Sequence, residues 1–553
     1  MSFLMRILVV LSLLAFFSGG LVNAQTSVID WKIKKTAWTD VDEKEYSDFV
    51  ALIGQAVEKR ECNSFESCLQ HPNNPFRGSD KAKLSVFADC AKLSYVLRGY
   101  FAWKKGLPFS VADGISKRNV PDNTGDLRYS NHGNEVTSRL NFLPKKVGGM
   151  WTFPNAVKVV SQTIANSVYS ANFRHYFENI DSDGLYTDFY PVEISRGGII
   201  PGTNIYDPNG HVAIVYKVTD DGKIYFIDAH PDNSLTSGLF GTKFARSRPA
   251  HGAGFKNFRP IYIEGAQFDA AVGSYVGGVL KPLKDNALPL HSLEQFFGTN
   301  LSFADWKKGV FQNEGTTYSY YDYVRIKMSK GNLKLDPMVE IKSLSEDLCQ
   351  TVQDRVHAVQ GGITAGIAAK AHPERLPVNI YGTSGEWEEY STPSRDARLK
   401  TSFKELRDTA EQMVQLFAAR DPRLVYPGAN IKGDMLNSYN QVVAQCQIQY
   451  TKSNGAVQQL TLDQVRQRLF QISFDPYHCA ELRWGASEAQ ELATCGDNNN
   501  KREWYARERW LRNQIERRYD ARMDFSLEEL TGPKPGAGVE NPPDVDVVKY
   551  LNL

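Results

Sequence analysis

After its first two dozen residues, the 553-residue chain has no apolar run near the ~18 residues that a membrane-spanning helix needs. Charge of one sign is also missing. The 64 Lys and Arg meet 63 Asp and Glu, a formal net charge of +1, so nothing calls for nucleic acid or an anionic membrane as partner. No internal repeat and no low-complexity block occurs. Hydrophobic residues at 42% and charged residues at 23% exclude a wholly disordered or fibrous chain. Cysteine is scarce, and its count of seven is odd. What is present is length, enough at roughly 100–200 residues per domain for two to four domains.

The start of the chain sets the compartment. Arg6 is followed by an apolar run of 11 residues, Ile7 to Phe17, and then by SGGLVNA with small Ala24 at the cut and Val22 two before it. This reads as a secretory signal peptide over residues 1–24, against the alternative of an uncleaved anchor. No Cys follows the run, which argues against lipoprotein processing. The expected mature chain begins at Gln25, carries no net charge and no membrane span, and lies in an exported space, periplasmic or extracellular. Cysteines pair there. Closeness in sequence suggests Cys62–Cys68 and Cys479–Cys495, which leaves Cys349–Cys446 and a free Cys90, although connectivity cannot be deduced from sequence.

The pattern of the rest predicts an α+β chain. Cys90, Leu93, Val96, Leu97, Tyr100 and Phe101 recur at helical spacing, with Asp89 as cap and Gly106 and Pro108 as stop. Residues 112–145 read as a long polar surface excursion and 150–180 as weakly helical. From Ile199 the period becomes two. His211–Val218, a turn at Asp220-Asp221-Gly222 and Ile224–Ile227 read as a β-hairpin. Residues 240–300 are Gly-rich and irregular. Past residue 335 the texture is helical, over Leu344–Gly361, Arg398–Arg420, Leu460–Ile472 and Ala486–Arg522. Within the last of these, Arg502–Arg522 reads as a surface helix with an apolar stripe.

Three residues carry candidate chemistry. Cys90 opens a helix, where unpaired N–H groups and the dipole favour a thiolate and can hold an oxyanion. A buried structural cysteine is the bland alternative. His211, after the turn Asp207-Pro208-Asn209-Gly210, can serve as base. Asp228 ends the returning strand, and antiparallel pairing brings it beside His211 as the orienting group. His230 shares its face and is a rival for that role. For a second oxyanion contact, Ser85 and Asp89 are upstream candidates, while Tyr95 reads as core.

The order Cys-helix, His-strand, Asp-strand resembles the papain-like fold of the NlpC/P60 and transglutaminase-like cysteine superfamilies. Asp89-Cys90-Ala91-Lys92-Leu93 resembles the nucleophile turn of both. Leu97-Arg98 with Gly106-Leu107-Pro108-Phe109 is similar to the helix exit of transglutaminase-like domains. Pro201-Gly202 with Gly210-His211-Val212-Ala213-Ile214-Val215 resembles the Pro-Gly and His-Val-Gly-Ile pattern of NlpC/P60. The 17 residues from His211 to Asp228 suit the transglutaminase-like hairpin better. The 121 residues from Cys90 to His211 exceed the spacing of either family, and the aromatic that follows His in transglutaminases is absent. The resemblance covers about 84–110 and 196–232. It implies a papain-like domain, a Cys-bearing helix packed on an antiparallel sheet, over 25–270 with an insertion at about 112–195. A connector (271–334), a mainly α-helical domain (335–530) and a Pro/Gly tail (531–553) follow.

The implied chemistry is attack of Cys90 on an amide carbonyl, with proton shuttling by His211 held by Asp228. The acyl group passes to water or to an amine. The substrate implied by compartment and family is a peptide, with peptidoglycan stem peptides first. An acyl transferase or protease acting on protein is the second reading. A catalytically silent scaffold that binds a protein partner through its helical domain is the third. No cofactor and no metal is expected. Asp181-Ser182-Asp183-Gly184 hints at a calcium loop but departs from the twelve-residue pattern. His478 beside Cys479 lacks a second ligand pair at metal spacing, so a disulfide accounts for it better. Glu386-Trp387-Glu388-Glu389-Tyr390 reads as an interdomain or substrate contact or as plain surface, and the basic residues of Lys501–Arg522 as a solvated face.

Overall fold

Local caps set the two helices that matter most. Thr39 and Asp42 cap one another's backbone at the start of helix α1 (Asp40–Glu58). Asp89 is extended, and its carboxylate accepts the N–H groups of Ala91 and Lys92, so helix α2 begins at Cys90 and runs to Lys105. Gly106 ends it at φ +66°, where a Cβ would also sit 2.5 Å from Lys34 Cγ, so only glycine fits.

A computed structural model describes residues 29–80, 84–176, 185–245, 251–300, 309–382 and 385–553. The signal peptide and the calcium-loop candidate Asp181–Gly184 lie outside them. Strands β1 (Ser110–Lys117) and β2 (Asn134–Asn141) form a hairpin inside what reads by composition as loop. The main sheet has six strands: β3 (Phe189–Pro191), β4 (Asn204–Asp207), β5 (His211–Val218), β6 (Ile224–Ala229), β7 (Leu235–Leu239) and β8 (Gly254–Phe258). Their order is β3-β8-β4-β5-β6-β7, with every neighbour antiparallel. The predicted hairpin is β5–β6. A bulge between Val215 and Lys217 shifts its register by one residue.

Both faces of the sheet are covered. Phe49 of α1 and Leu93 and Val96 of α2 share a core with Ile214 and Ile227. Val215 and Phe226 on the other face pack against Tyr323 and Val324 of α3 (Tyr320–Met328). Burial on both sides explains why β5 is apolar without strict alternation. Among the described residues the chain is an α+β protein, and no helix is long and apolar enough to cross a membrane.

The helical half is built on α4 (Pro337–Thr364), α5 (Pro393–Ala418) and α6 (Ile431–Gln445) around Leu348, Phe403 and Met435. It contains an unexpected hairpin, β9 (Gln447–Thr451) with β10 (Val457–Thr461), and the predicted helix at Leu460–Ile472 shrinks to Leu462–Gln467. The predicted Arg502–Arg522 helix is two short pieces, α7 (Asn499–Arg507) and α8 (Arg509–Arg512). Trp504 and Leu511 are buried, and the chain then turns inward, so this is not a surface face. The Pro/Gly tail ends in α9 (Val547–Leu551), which buries Val547 and Leu551 in the same core. Proline and glycine counts hide such a short anchoring helix.

The two halves are docked. Asp347 of α4 accepts the Leu239 N–H and Lys243 Nζ, both at 2.7 Å, which covers the edge strand β7. Arg395 of α5 pairs with Asp232 at 3.0 Å, and Arg517 pairs with Asp207. Disulfides join Cys62–Cys68, Cys349–Cys446 and Cys479–Cys495, leaving Cys90 as the free thiol. Three disulfides suit an oxidising space.

Candidate active site

Cys90, half-buried, is the first residue of α2, and the backbone N–H of Val212 points at its sulfur. Val212 follows His211 on β5, so the candidate nucleophile and the candidate base lie on adjoining elements of the helix–sheet seam. His211 is placed by the turn at Pro208-Asn209-Gly210. Gly210 has φ +83°, and a Cβ there would stand 3.2 Å from the Tyr129 ring.

The register Ile214↔Ile227 puts His230 nearly opposite His211 and Asp228 diagonally on the same face. The hydrogen bond settles which of the two holds the imidazole: His211 Nε2 lies 2.6 Å from Asp228 Oδ2. A carboxylate accepts, so Nε2–H donates and Nδ1 keeps the lone pair for a proton. Thr236, the cross-strand partner of Asp228, donates its hydroxyl to the other carboxylate oxygen. Its oxygen then accepts from His230 Nε2 at 2.9 Å. His230 therefore supports Asp228 through Thr236 and makes no hydrogen bond to His211. Thr236 was readable in principle from β6–β7 pairing, but the Pro231-Asp232-Asn233 turn and the strand after it lie beyond the hairpin assigned from sequence, which ends at Ile227.

The electrostatics correct one expectation. Burial, with the Asp89 carboxylate adding to it, pushes the Cys90 thiol up to about 12, against a helix start and a Val212 N–H that pull the other way. Burial and then the Arg398 charge lower His211, although Asp228 pulls it up. The pair at neutral pH is thus thiol and neutral imidazole, not thiolate and imidazolium. Asp228 itself stays ionised well below the usual carboxylate range; burial opposes this, but His230, His211 and Arg398 outweigh it. No hydrogen bond joins the sulfur to the ring, a contact that catalytic pairs commonly tighten in the substrate complex.

Cys90 and His211 open into a cleft of about 890 Å³. One wall is the loop Gly125–Tyr129 of the β1–β2 excursion; the other is Ile380–Gly382, Glu388, Ser391–Arg395 and Arg398 with Tyr519 from the helical half. Tyr129 and Tyr519 stack across it, ring centroids 4.6 Å apart. Glu388 lines the cleft, while its neighbour Trp387 is core. Ser85 is exposed and outside the cleft, Asp89 is spent on capping, and Tyr95 is buried with its hydroxyl on Asp188 at 2.7 Å. Of the residues that the sequence does not reveal, Arg398 and Tyr519 come from elements distant in the chain, and Thr236 from the strand that follows β6. The Arg398 guanidinium lines the cleft and makes no hydrogen bond or ion pair among the described residues.

Comparison with protein families, with curated proteins and with solved structures returned no match for this chain.

The charge arrangement fixes a pH dependence. His211 must be neutral to take a proton, and its ordinary value of 6.5 is lowered in the fold. With Cys90 read as nucleophile and His211 as base, turnover is expected to fall only below pH 6.5 and to stay level through pH 9, since the thiol titrates far above. Arg398→Gln removes a cation that depresses His211, so the acidic limb should move to higher pH in a kcat/KM profile. A limb that stays put or moves to lower pH contradicts the assignment.

Proposed function

We propose that this chain is an exported cysteine hydrolase of papain-like arrangement that cleaves an amide bond through Cys90, His211 and Asp228. The observation that carries the reading is the free Cys90 at a capped helix start, sharing a cleft with an imidazole whose other nitrogen is bonded to a buried carboxylate at 2.6 Å. Every other cysteine is in a disulfide.

The steps follow from the protonation states. The Cys90 S–H proton passes to His211 Nδ1 as the sulfur bonds to the carbonyl carbon and the C=O pair moves onto oxygen. Asp89 caps Ala91 and Lys92, which leaves the Cys90 N–H for that oxyanion. The oxyanion collapses, the C–N bond breaks, and the departing amine takes the proton from His211. Water then loses a proton to Nδ1 and attacks the thioester. The acid is released, and the proton returns to the sulfur. Asp228 holds the ring and offsets its transient charge.

The cleft is open enough for a chain, which favours a peptide substrate over a small metabolite. Peptidoglycan stem peptides are the proposed substrate, on the grounds of an exported compartment. Incubation with purified cell-wall sacculi and with casein tests this. New amine termini are expected from sacculi with the wild type and not with Cys90→Ala. Release from casein alone, again dependent on Cys90, selects the protease reading. Equal output from mutant and wild type on both leaves the binding scaffold.

A further inference from the structure

A second cluster of titratable groups lies in the helical half and plays no part in the mechanism above. His372, Asp475, His478 and Glu508 converge with their side chains fully buried. Donor atoms of His372, Asp475 and Glu508 all lie within 4.8 Å of one another. His478 Nε2 lies beside this trio, 3.5 Å from Glu508 Oε2 and 3.9 Å from Asp475 Oδ2.

The outer nitrogens decide what the inner ones present. His372 Nδ1 lies 2.6 Å from the Pro373 carbonyl, which can only accept, so Nδ1 carries the proton. In the neutral ring the lone pair of Nε2 faces Asp475 Oδ2, 2.7 Å away; in the charged ring Nε2–H donates to it. His478 repeats the arrangement: Nδ1 faces the Asp497 carboxylate at 3.1 Å, and Nε2 has no hydrogen-bond partner. Both carboxylate oxygens of Glu508 also lack a hydrogen-bond donor in full burial, with the Arg512 guanidinium 3.9 Å from Oε2. With both rings neutral, two inward lone pairs face carboxylates, which is repulsive, and a buried carboxylate without a hydrogen bond is costly. A cation at the centre resolves both. Histidines anchored through their outer nitrogen to a carbonyl or a carboxylate are how proteins orient metal-binding imidazoles.

We propose that His372, Asp475, His478 and Glu508 bind one divalent cation of the zinc class, with Asp497 and the Pro373 carbonyl as outer partners. Two imidazoles and two carboxylates form a closed four-ligand set, which marks a structural site, not a catalytic one. The ion would tie together three segments remote in sequence, each feeding a piece of the cleft wall or its support. The ligands escape motif reading because only Asp475 and His478 are close in sequence. The competing occupant is a proton on each ring, since Asp475 and its neighbours hold His478 up at about 9 against the burial that opposes charging. Metal binding must then release protons. Arg512, 3.9 Å from Glu508 Oε2, and Arg483 are further cations whose charges reach the cluster.

The test uses the full mature chain carrying Cys90→Ala, which removes the one free thiol as a competing metal ligand. After EDTA treatment, dialysis against Zn²⁺ and desalting, about one zinc per chain is expected by mass spectrometry of the elements. Glu508→Gln and His372→Ala should each cut retention more than about tenfold, and Asp497→Asn should weaken it by about 10-fold or more without removing a ligand. X-ray absorption of the zinc-loaded parent should show two imidazoles, oxygen ligands and no sulfur, a readout that holds even if a variant fails to fold. No zinc retained by the parent, a sulfur ligand, or equal retention in the folded variants overturns the proposal.

Discussion

Cys90→Ala and His211→Ala should each lower kcat/KM by about 10⁴-fold or more, and the double variant should be no worse than either alone. In the proposed mechanism the two groups act on one proton and one bond, so losing either ends the same step. A residual rate remains because the Cys90 backbone N–H and the cleft still bind and polarise the substrate. The fold should not change. His211 sits on a sheet covered on both faces, and Cys90 is only half-buried, with its helix capped by Asp89. Kinetics on sacculi, with circular dichroism as the control, read both quantities. Effects that multiply in the double variant would mean that the two residues do not share a step.

Arg517→Ala should destabilise the protein by roughly 3–5 kcal/mol and also lower activity. Its guanidinium pairs with Asp207, a fully buried carboxylate that stands directly opposite His211 in the β4–β5 register. Asp207 also accepts the Asn209 N–H at 2.9 Å and so shapes the turn that delivers His211. Removing Arg517 leaves that charge buried without a partner. Adding Asp207→Asn to the Arg517→Ala protein should recover much of the loss, because the uncompensated charge disappears. Urea denaturation and turnover of the single and double variants check this. A single variant within about 0.5 kcal/mol of wild type would mean that water already compensates Asp207.

Cys90, His211 and Asp228 were legible because each signal is local. Asp89 before a helical period, a turn before His211 and a period-two return to Asp228 all lie within short windows, and close-packed secondary structure leaves their side chains little freedom. The pairing of seven cysteines followed from sequence closeness and the odd count. What stayed hidden depends on contacts between remote segments. Arg398 reaches the cleft only because α5 docks beside the β6–β7 turn, where Arg395 pairs with Asp232, and Tyr519 only because the chain breaks after α8. The Cys90 protonation state was read with the wrong sign, since helix-start effects are visible in sequence while burial is not. The helical texture past residue 335 was sound for α4 and α5. It failed at β9–β10, where Gln-rich composition masks a strand pair, and at Arg502–Arg522, where charged residues suggested an exposed helix and tertiary packing buried it.

The central claim is that Cys90 is a nucleophile activated by His211. Acetylation by p-nitrophenyl acetate, quenched in acid and mapped by peptide mass spectrometry, tests it without knowledge of the natural substrate. The account predicts a thioester on Cys90 whose formation loses rate only below pH 6.5, and which slows at least about 100-fold in His211→Ala. Cys90 left unlabelled while lysines react, or a Cys90 adduct that forms equally fast without His211, would contradict it.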